Sequence, residues 1–224
     1  MSRATLAGVK RLVFAATLAA CSHATTESDV VAYIQAQPAA ARTALVTKAE
    51  GRTPQPGLIH RGDAPLTLLG PTLDVGAALP DVTVIDGKLE PVQLAALKGK
   101  IVVLSVVPSI DTHVCETQTH KVSAAIEQMP PGTEVFTVSR DLPFAQTRFA
   151  EEAMVKTKMV SDYRGGAFGR AFGVEVAETG LLARSVWVIG PDGKIAYRQL
   201  VDDQGTEPDY DALVAAVKKA AGPS

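Results

Sequence analysis

The hydrophobic pattern near the middle of the chain changes from a continuous apolar run to helical spacing. Residues 100–107 (KIVVLSVV) form a nearly continuous apolar run rich in valine, which is typical of a strand buried on both faces. Pro108 cannot donate a hydrogen bond to a sheet, so the strand has to end there. The apolar residues within 114–129 then recur on one side of a helix, and two prolines end the run. The pattern predicts a central strand, a turn, and a helix with Cys115 in its first turn.

The rest of the chain alternates between the same two periodicities. Strands are predicted at residues 82–85, 101–107, 134–138, 185–189 and 195–200, and helices at residues 115–129, 144–154, 166–172 and 209–221. Residues 58–69 predict a β-hairpin with its turn at Gly62-Asp63. Arg61 completes an Arg-Gly-Asp triplet there, for which a turn is a better explanation than an adhesion motif. The fold class is therefore α/β, with a mixed sheet between helices on both faces.

The first 20 residues have the pattern of a signal peptide. Residues 1–20 contain three basic residues and no acidic one, and residues 12–20 are apolar. This apolar stretch is too short to span a bilayer stably. Removal of three positive charges moves the formal net charge from −2 to −5, and neither value favours nucleic-acid binding. We expect an exported protein.

A possible lipid attachment site follows the signal peptide. Residues 18–21 (LAAC) resemble a bacterial lipoprotein box, in which Cys21 becomes the lipidated first residue of the mature chain. Ordinary secretory cleavage nearby is the alternative. Ser22, rather than Asp, follows Cys21, and by the convention of such proteins this favours the outer membrane, facing the periplasm. Residues 21–57 contain several prolines and few bulky apolar residues, so they predict a flexible tether to a domain at residues 58–224, with a short helix near residues 29–35.

Cys115 is the strongest candidate for chemistry because the start of a helix favours an anion. The thiolate is the reactive form of cysteine, yet a thiol with the reference pKa of about 8.5 is only about 3% ionised at pH 7. Lowering a thiol pKa to about 6 takes roughly 3.4 kcal/mol, whereas a helix end supplies about 0.3 to 2 kcal/mol. A fixed cation is therefore needed as well. The alternative is that Cys115 is a small buried hydrophobic residue.

Three stretches resemble one enzyme family. Residues 108–115 (PSIDTHVC) resemble the motif Pro-x-x-x-Thr/Ser-x-x-Cys of the peroxiredoxins, most closely that of the thiol peroxidase subgroup. Residues 141–149 (DLPFAQTRF) resemble the second signature of that subgroup, and residues 183–185 (ARS) resemble the Ala-Arg that precedes a late strand. The resemblance covers residues 58–221. It implies a thioredoxin fold with an N-terminal β-hairpin, a peroxide substrate, no metal or organic cofactor, and a homodimer.

The resemblance also implies a role for each residue of the motif. Arg184 would lie beside the sulfur of Cys115, stabilise the thiolate and polarise the peroxide; the alternative is a surface salt bridge. Thr112 would orient the peroxide, or it is simply the N-cap of the helix. Pro108 would shield the sulfur from water. Attack of the thiolate on one peroxide oxygen would release water or an alcohol and leave a sulfenic acid.

One departure from the family changes the expected mechanism. Ala150 stands after Arg148-Phe149, where thiol peroxidases usually have a resolving cysteine. A lipidated Cys21 would leave Cys115 as the only thiol, so we expect a one-cysteine mechanism in which an external thiol or a thioredoxin-like protein acts as reductant. The same alanine leaves open a second interpretation, a catalytically silent binding lipoprotein.

Two other classes of site fit the sequence poorly. His113 and His120 flank Cys115, but offsets of two and five residues do not form a standard set of metal ligands. A thiol-disulfide oxidoreductase would need Cys-x-x-Cys, and Thr112 and Gln118 occupy the partner positions.

Overall fold

The computed structural model describes residues 54–222. The expected signal peptide, the helix near residues 29–35, Cys21 and most of the tether lie outside this range. In chain order the elements are β1 (Pro54–Arg61), β2 (Ala64–Leu69), β3 (Thr83–Asp86), β4 (Pro91–Gln93), β5 (Val102–Val106), α1 (His113–Ala125), β6 (Glu134–Ser139), α2 (Pro143–Glu152), β7 (Lys158–Ser161), α3 (Ala167–Phe172), β8 (Glu175–Val176), β9 (Ser185–Ile189), β10 (Ile195–Leu200) and α4 (Tyr210–Ala220).

Seven of the strands form a mixed sheet in the order β10-β9-β5-β6-β7-β3-β4. Strand β5 is central: it runs parallel to β6 and antiparallel to β9, and all five of its residues are buried. Its side chains alternate between two cores. Val103 faces α1 and α4, whereas Leu104 and Val106 face α3 and the N-terminal hairpin. The predicted α/β architecture, a mixed sheet with helices on both faces, is confirmed.

The N-terminal β-hairpin is also confirmed, but it starts earlier than expected. Strand β1 begins at Pro54, so the last four residues of the expected tether belong to the hairpin. This strand tolerates prolines because it lies at the edge of a three-stranded sheet, β1-β2-β8. The pairing shifts register between Pro56 and Ile59, where Gly57 has a positive φ of 73°. The turn falls at Gly62-Asp63, as predicted.

Strands β4, β7 and β8 are absent from the sequence prediction. They are three, four and two residues long, too short for a period to emerge from the sequence. The boundaries of the four helices also differ, in α3 and α4 by only one residue at an end. Helix α1 begins at His113 and ends at Ala125, and a 3₁₀ turn continues it over Ile126–Gln128. Helix α2 starts with Pro143 at its first position, which suits a residue that lacks an N–H. Within residues 54–222, no helix is both long and apolar enough to cross a membrane.

Candidate active site

The sulfur of Cys115 lies where β5 ends and α1 begins. Val107, the first residue after β5, continues the pairing with β6, because its N–H donates to the carbonyl of Val138 at 2.9 Å. Thr112 is the N-cap of α1, so Cys115 is the third residue of the helix and lies in its first turn, as predicted. Cys115 is a free thiol and is fully buried. The unpaired N–H groups and the dipole of the first turn favour negative charge at this point.

Thr112 contacts the sulfur directly. Its backbone is extended, as in an N-cap residue, but its side chain makes no capping hydrogen bond. Instead, Thr112 Oγ1 lies 2.9 Å from Cys115 Sγ and 3.3 Å from the carbonyl oxygen of Ser109. The hydroxyl has one proton, which it can donate to a thiolate. The simple capping interpretation of Thr112 therefore does not describe its side chain.

Arg184 reaches the sulfur from the neighbouring strand. It precedes β9, and Ser185 at the start of β9 pairs with Val106 at the end of β5. This pairing brings Arg184 beside residues 107–112, the turn between β5 and α1, which we call the catalytic turn. Its Nη2 donates to Cys115 Sγ at 3.4 Å. The side chain is fully buried, so it is not the surface salt bridge considered from the sequence.

The charge of Arg184 has no carboxylate partner within salt-bridge distance among residues 54–222. Its charge acts on the carboxylate of Glu207. Burial raises the pKa of Glu207, but hydrogen bonds from Tyr210 and Lys121 and the charges of Lys121 and Arg184 together lower it. Glu207 is already paired with Lys121 at 2.9 Å. A buried guanidinium without a bound carboxylate favours an anion on the sulfur that it touches.

Two glutamines orient Arg184, and the sequence analysis gave neither of them a role. Gln118 Oε1 accepts from Arg184 Nη1 at 2.8 Å, while Gln118 Nε2 donates to Ser105 Oγ on β5 at 2.9 Å. Gln204 accepts from Arg184 Nε through its backbone carbonyl at 3.2 Å. Gln118 could have been found from its position three residues after Cys115, which puts both side chains on one helical face.

Asp141, the first residue of the second signature, holds the catalytic turn. Its carboxylate accepts from Ser109 Oγ at 2.7 Å and from the backbone N–H of Ile110 at 2.8 Å. Pro108 lies half-buried at the start of the same turn. The structure thus brings Thr112 and Arg184 to the sulfur, whereas the shielding role of Pro108 stays a prediction.

The comparisons with known proteins agree with this geometry. A family model described as Redoxin matches residues 74–214. The chain belongs to the redoxin family. The thiol peroxidase of Halalkalibacterium halodurans is 44% identical over 157 residues, which are 70% of this chain and 94% of that protein. The thiol peroxidase of Bacillus subtilis is 41% identical over 155 residues, which are 69% of this chain and 92% of that protein.

A solved structure supports the same assignment. The crystal structure of a peroxiredoxin-like protein from Aquifex aeolicus matches with a TM-score of 0.68 and 38% identity, covering 72% of this chain and 96% of that chain. This redoxin is therefore an enzyme with the thioredoxin fold, a thiol peroxidase of the peroxiredoxin type.

Ala150 of this redoxin lies close to the site but cannot form a disulfide. Phe149 and Ala150 on α2 pack against the apolar cluster that contains Cys115, Ile110 and Met159. The end of the second signature, at Phe149, thus borders the apolar cluster that contains Cys115.

His120, one of the two histidines that flank Cys115, contacts a carboxylate and an aromatic ring in the redoxin. His120 Nε2 lies 3.9 Å from Glu116 Oε1, and the His120 ring makes an edge contact with Phe149 at 6.5 Å between ring centroids. Over residues 54–222, no three His, Cys, Asp or Glu side chains are grouped so that they could hold a metal ion. His120 is therefore engaged by a carboxylate and an aromatic ring.

Proposed function

We propose that this thiol peroxidase reduces hydrogen peroxide and organic hydroperoxides by a one-cysteine mechanism at Cys115. The observation that carries the proposal is the sulfur itself, which is contacted by both the Thr112 hydroxyl and the Arg184 guanidinium. The thiolate attacks one peroxide oxygen, and the O–O bond breaks. The second oxygen leaves as hydroxide or alkoxide and takes up a proton, and the sulfur becomes a sulfenic acid.

Arg184 and Thr112 have complementary roles in this step. The guanidinium stabilises the thiolate before attack and the leaving oxygen during it, since negative charge moves from sulfur to oxygen. The Thr112 hydroxyl fixes the direction from which the peroxide approaches. Pro108, in the turn that precedes α1, limits the access of water to the sulfur.

Reduction of the sulfenic acid then requires a thiol from outside the subunit. One external thiol displaces water from the sulfenic acid and forms a mixed disulfide, and a second thiol releases Cys115 as a thiol. Cys115 is fully buried, so the first turn of α1 has to open before a bulky reductant can attack. The reductant is a small thiol, or a thioredoxin-like protein that attacks after the turn has opened.

Ala150 provides a test of the one-cysteine mechanism. After one equivalent of peroxide, the Ala150→Cys variant should form a disulfide with Cys115 and lose two hydrogens in non-reducing mass analysis, because residue 150 packs in the cluster around Cys115. Wild type should instead gain one oxygen, and a second oxygen only with further peroxide. Ala153→Cys, which lies outside that cluster, is the matched control. A disulfide in wild type would contradict the mechanism.

The cellular setting of the enzyme is a separate proposal. The leader and the lipoprotein box support export and lipidation at Cys21, so that the tether holds the peroxidase at the bacterial outer membrane, facing the periplasm. The family likeness supports a homodimer. Mass spectrometry of the native N-terminus should show a lipid-modified Cys21; an unmodified terminus at another residue would contradict the anchor.

A catalytically silent binding protein remains the alternative to peroxidase activity. Decay of activity would remove the need for Thr112 and Arg184, yet both side chains contact the sulfur. Consumption of peroxide by the purified protein with dithiothreitol decides between the two functions. We expect turnover in wild type and none in Cys115→Ser, which should still fold. Equal consumption by both proteins would remove Cys115 from the mechanism.

A further inference from the structure

Gln204 is a buried polar residue with an unusual set of partners. It lies in the segment between β10 and α4, and only 3% of its surface is exposed. It binds Arg184 at two places. The side-chain Oε1 accepts from the backbone N–H of Arg184 at 2.5 Å, and the backbone carbonyl accepts from Arg184 Nε at 3.2 Å. One residue therefore fixes both the backbone and the guanidinium of the arginine that faces the sulfur.

Gln204 is itself held on two sides. Its Nε2 donates to the carbonyl of Val201 at 2.5 Å, and Val201 N–H donates to the carbonyl of Arg184 at 3.1 Å. Together with the two bonds from Arg184, these contacts close a ring of hydrogen bonds around the residue. Because every member is buried, loss of one bond would leave an unsatisfied polar group, and the ring should favour one arrangement of Arg184.

The end of the N-terminal hairpin, residues 60–63, is hydrogen-bonded to the segment that contains Gln204. His60 N–H donates to the carbonyl of Asp202 at 2.7 Å, and Gln204 N–H donates to the carbonyl of His60 at 2.8 Å. Arg61 shows that the hairpin end also lies near the reactive groups. Burial and the charge of Arg184 lower the pKa of Arg61, while the charges of Cys115 and Asp203 act in the opposite direction.

We infer that Gln204 is a positioning residue for the peroxide reaction, and that the hairpin end keeps it in place. Gln204 does not touch the sulfur; it acts through the orientation of Arg184. Arg184 has five N–H donors in a rigid fork, so a small rotation would move Nη2 away from Cys115. The hairpin, which the sequence predicts only as an N-terminal β-hairpin, thereby contributes to the reactivity of a sulfur on another element.

The test compares two glutamines that each accept a backbone N–H. Gln204→Leu removes the side-chain acceptor of the Arg184 backbone N–H and keeps the backbone carbonyl that accepts from Arg184 Nε. In the control Gln199→Leu, the lost acceptor serves Asp209 N–H at 2.9 Å and not Arg184. We expect Gln204→Leu to lower the rate constant of Cys115 with hydrogen peroxide about tenfold, the size expected for one buried hydrogen bond. It should also move the pH midpoint of Cys115 alkylation by iodoacetamide upward. Gln199→Leu should match wild type in both measurements.

A second variant covers a failure of Gln204→Leu to fold. Gln204→Glu keeps an acceptor for Arg184 N–H but brings a carboxylate next to Arg184, which competes with the thiolate for the positive charge. The variant loses the donor to the Val201 carbonyl, but its new charge is paired with Arg184. It should therefore fold with lower stability and still raise the pH midpoint of alkylation. A folded Gln204→Leu or Gln204→Glu protein with a wild-type rate and a wild-type midpoint would overturn the inference.

The inference rests on the proposed function only in taking Cys115 as the group that reacts with peroxide. The two can fail separately, because alkylation measures the state of the sulfur without any peroxide. If wild type reduces no peroxide, the proposed function fails, while a shifted alkylation midpoint in the Gln204 variants still supports the positioning role. If wild type reduces peroxide and neither measurement responds to Gln204, only the positioning role fails.

Discussion

Two arginines, Arg140 and Arg184, lie near the ends of the two strands that flank β5, but they have opposite surroundings. Arg140 follows β6 and is bound by carboxylates: its Nη2 lies 2.9 Å from Glu175 Oε2, and its Nε lies 3.4 Å from Asp162 Oδ2. Arg184 precedes β9 and is bound by two glutamines and the sulfur of Cys115. The first guanidinium is neutralised within the fold, and the second is not.

The difference identifies which arginine stabilises the structure and which prepares a reaction. Asp162 also accepts from the N–H groups of Phe168 and Gly169, so Arg140 connects β6 and β7 to the start of α3. Burial nevertheless raises the pKa of Asp162, because these bonds and the charge of Arg140 only partly offset the loss of water. A buried charge is costly unless it is paired. The fold therefore leaves Arg184 with a charge that a thiolate can satisfy.

Loss of Arg184 should have the largest effect on activity. Arg184→Met should lower the rate constant of Cys115 with hydrogen peroxide by about a hundredfold or more, as expected for removal of a donor that stabilises developing charge. Stopped-flow measurement of the first turnover isolates this step from reduction by thiol. A rate within a factor of about two of wild type would exclude Arg184 from the chemistry.

Loss of Arg140 should lower the stability of the fold and leave the reaction with peroxide unchanged. Arg140→Met leaves the buried carboxylate of Asp162 without its cation, which should cost about 3 kcal/mol in the free energy of unfolding. The peroxide rate constant should stay close to that of wild type in the folded fraction. Urea denaturation measures the first effect. If Arg140→Met slowed the first turnover as strongly as Arg184→Met, the distinction between the two arginines would be wrong.

The Thr112 hydroxyl should have a smaller effect than Arg184. Thr112→Val keeps the shape of the side chain but removes the hydrogen bond to Cys115 Sγ, and we expect the peroxide rate constant to fall about tenfold. Thr112→Ser keeps the hydroxyl and should stay near wild type. A loss in Thr112→Ser without a loss in Thr112→Val would point to packing of the methyl group instead.

Glu134 and its two exposed lysines should give the smallest effect in this comparison. Glu134 binds Lys100 at 2.7 Å and also Lys158, and these hydrogen bonds lower the pKa of Glu134. The resulting stability is present above the ordinary pKa of a glutamate and is lost as pH falls through the lowered value. Both lysines are exposed, so Glu134→Gln should change the free energy of unfolding at pH 7 by less than about 1 kcal/mol. Urea denaturation at pH 7 and at pH 3 checks this, and a larger loss at pH 7 would refute it.

The sequence predicted the elements that have a clear period or a motif. The valine-rich run before Pro108 is long enough to identify β5, and the helical spacing after it identifies α1 and the position of Cys115. The resemblance identified Arg184 as the cation that the helix end alone could not replace. These features depend on neighbouring residues or on a pattern of fixed spacing, which a single sequence contains.

The parts that the sequence did not predict depend on contacts between distant residues. Gln204 is 20 residues from Arg184, and Asp141 is 32 residues from Ser109. A glutamine in a polar segment carries no signal of burial, and only the pairing of β9 with β5 and of the hairpin end with the segment after β10 gives it a role. Strand β7 (KMVS) is identified by its place beside β6, not by its four residues.

The most direct test of the central claim is the pH dependence of Cys115 alkylation by iodoacetamide in wild type, Arg184→Met and Arg140→Met. Each protein is first shown to be folded by circular dichroism. If Arg184 stabilises the thiolate, the midpoint of the alkylation curve should move to higher pH in Arg184→Met and stay at the wild-type value in Arg140→Met. A midpoint that is the same in all three proteins would contradict the account.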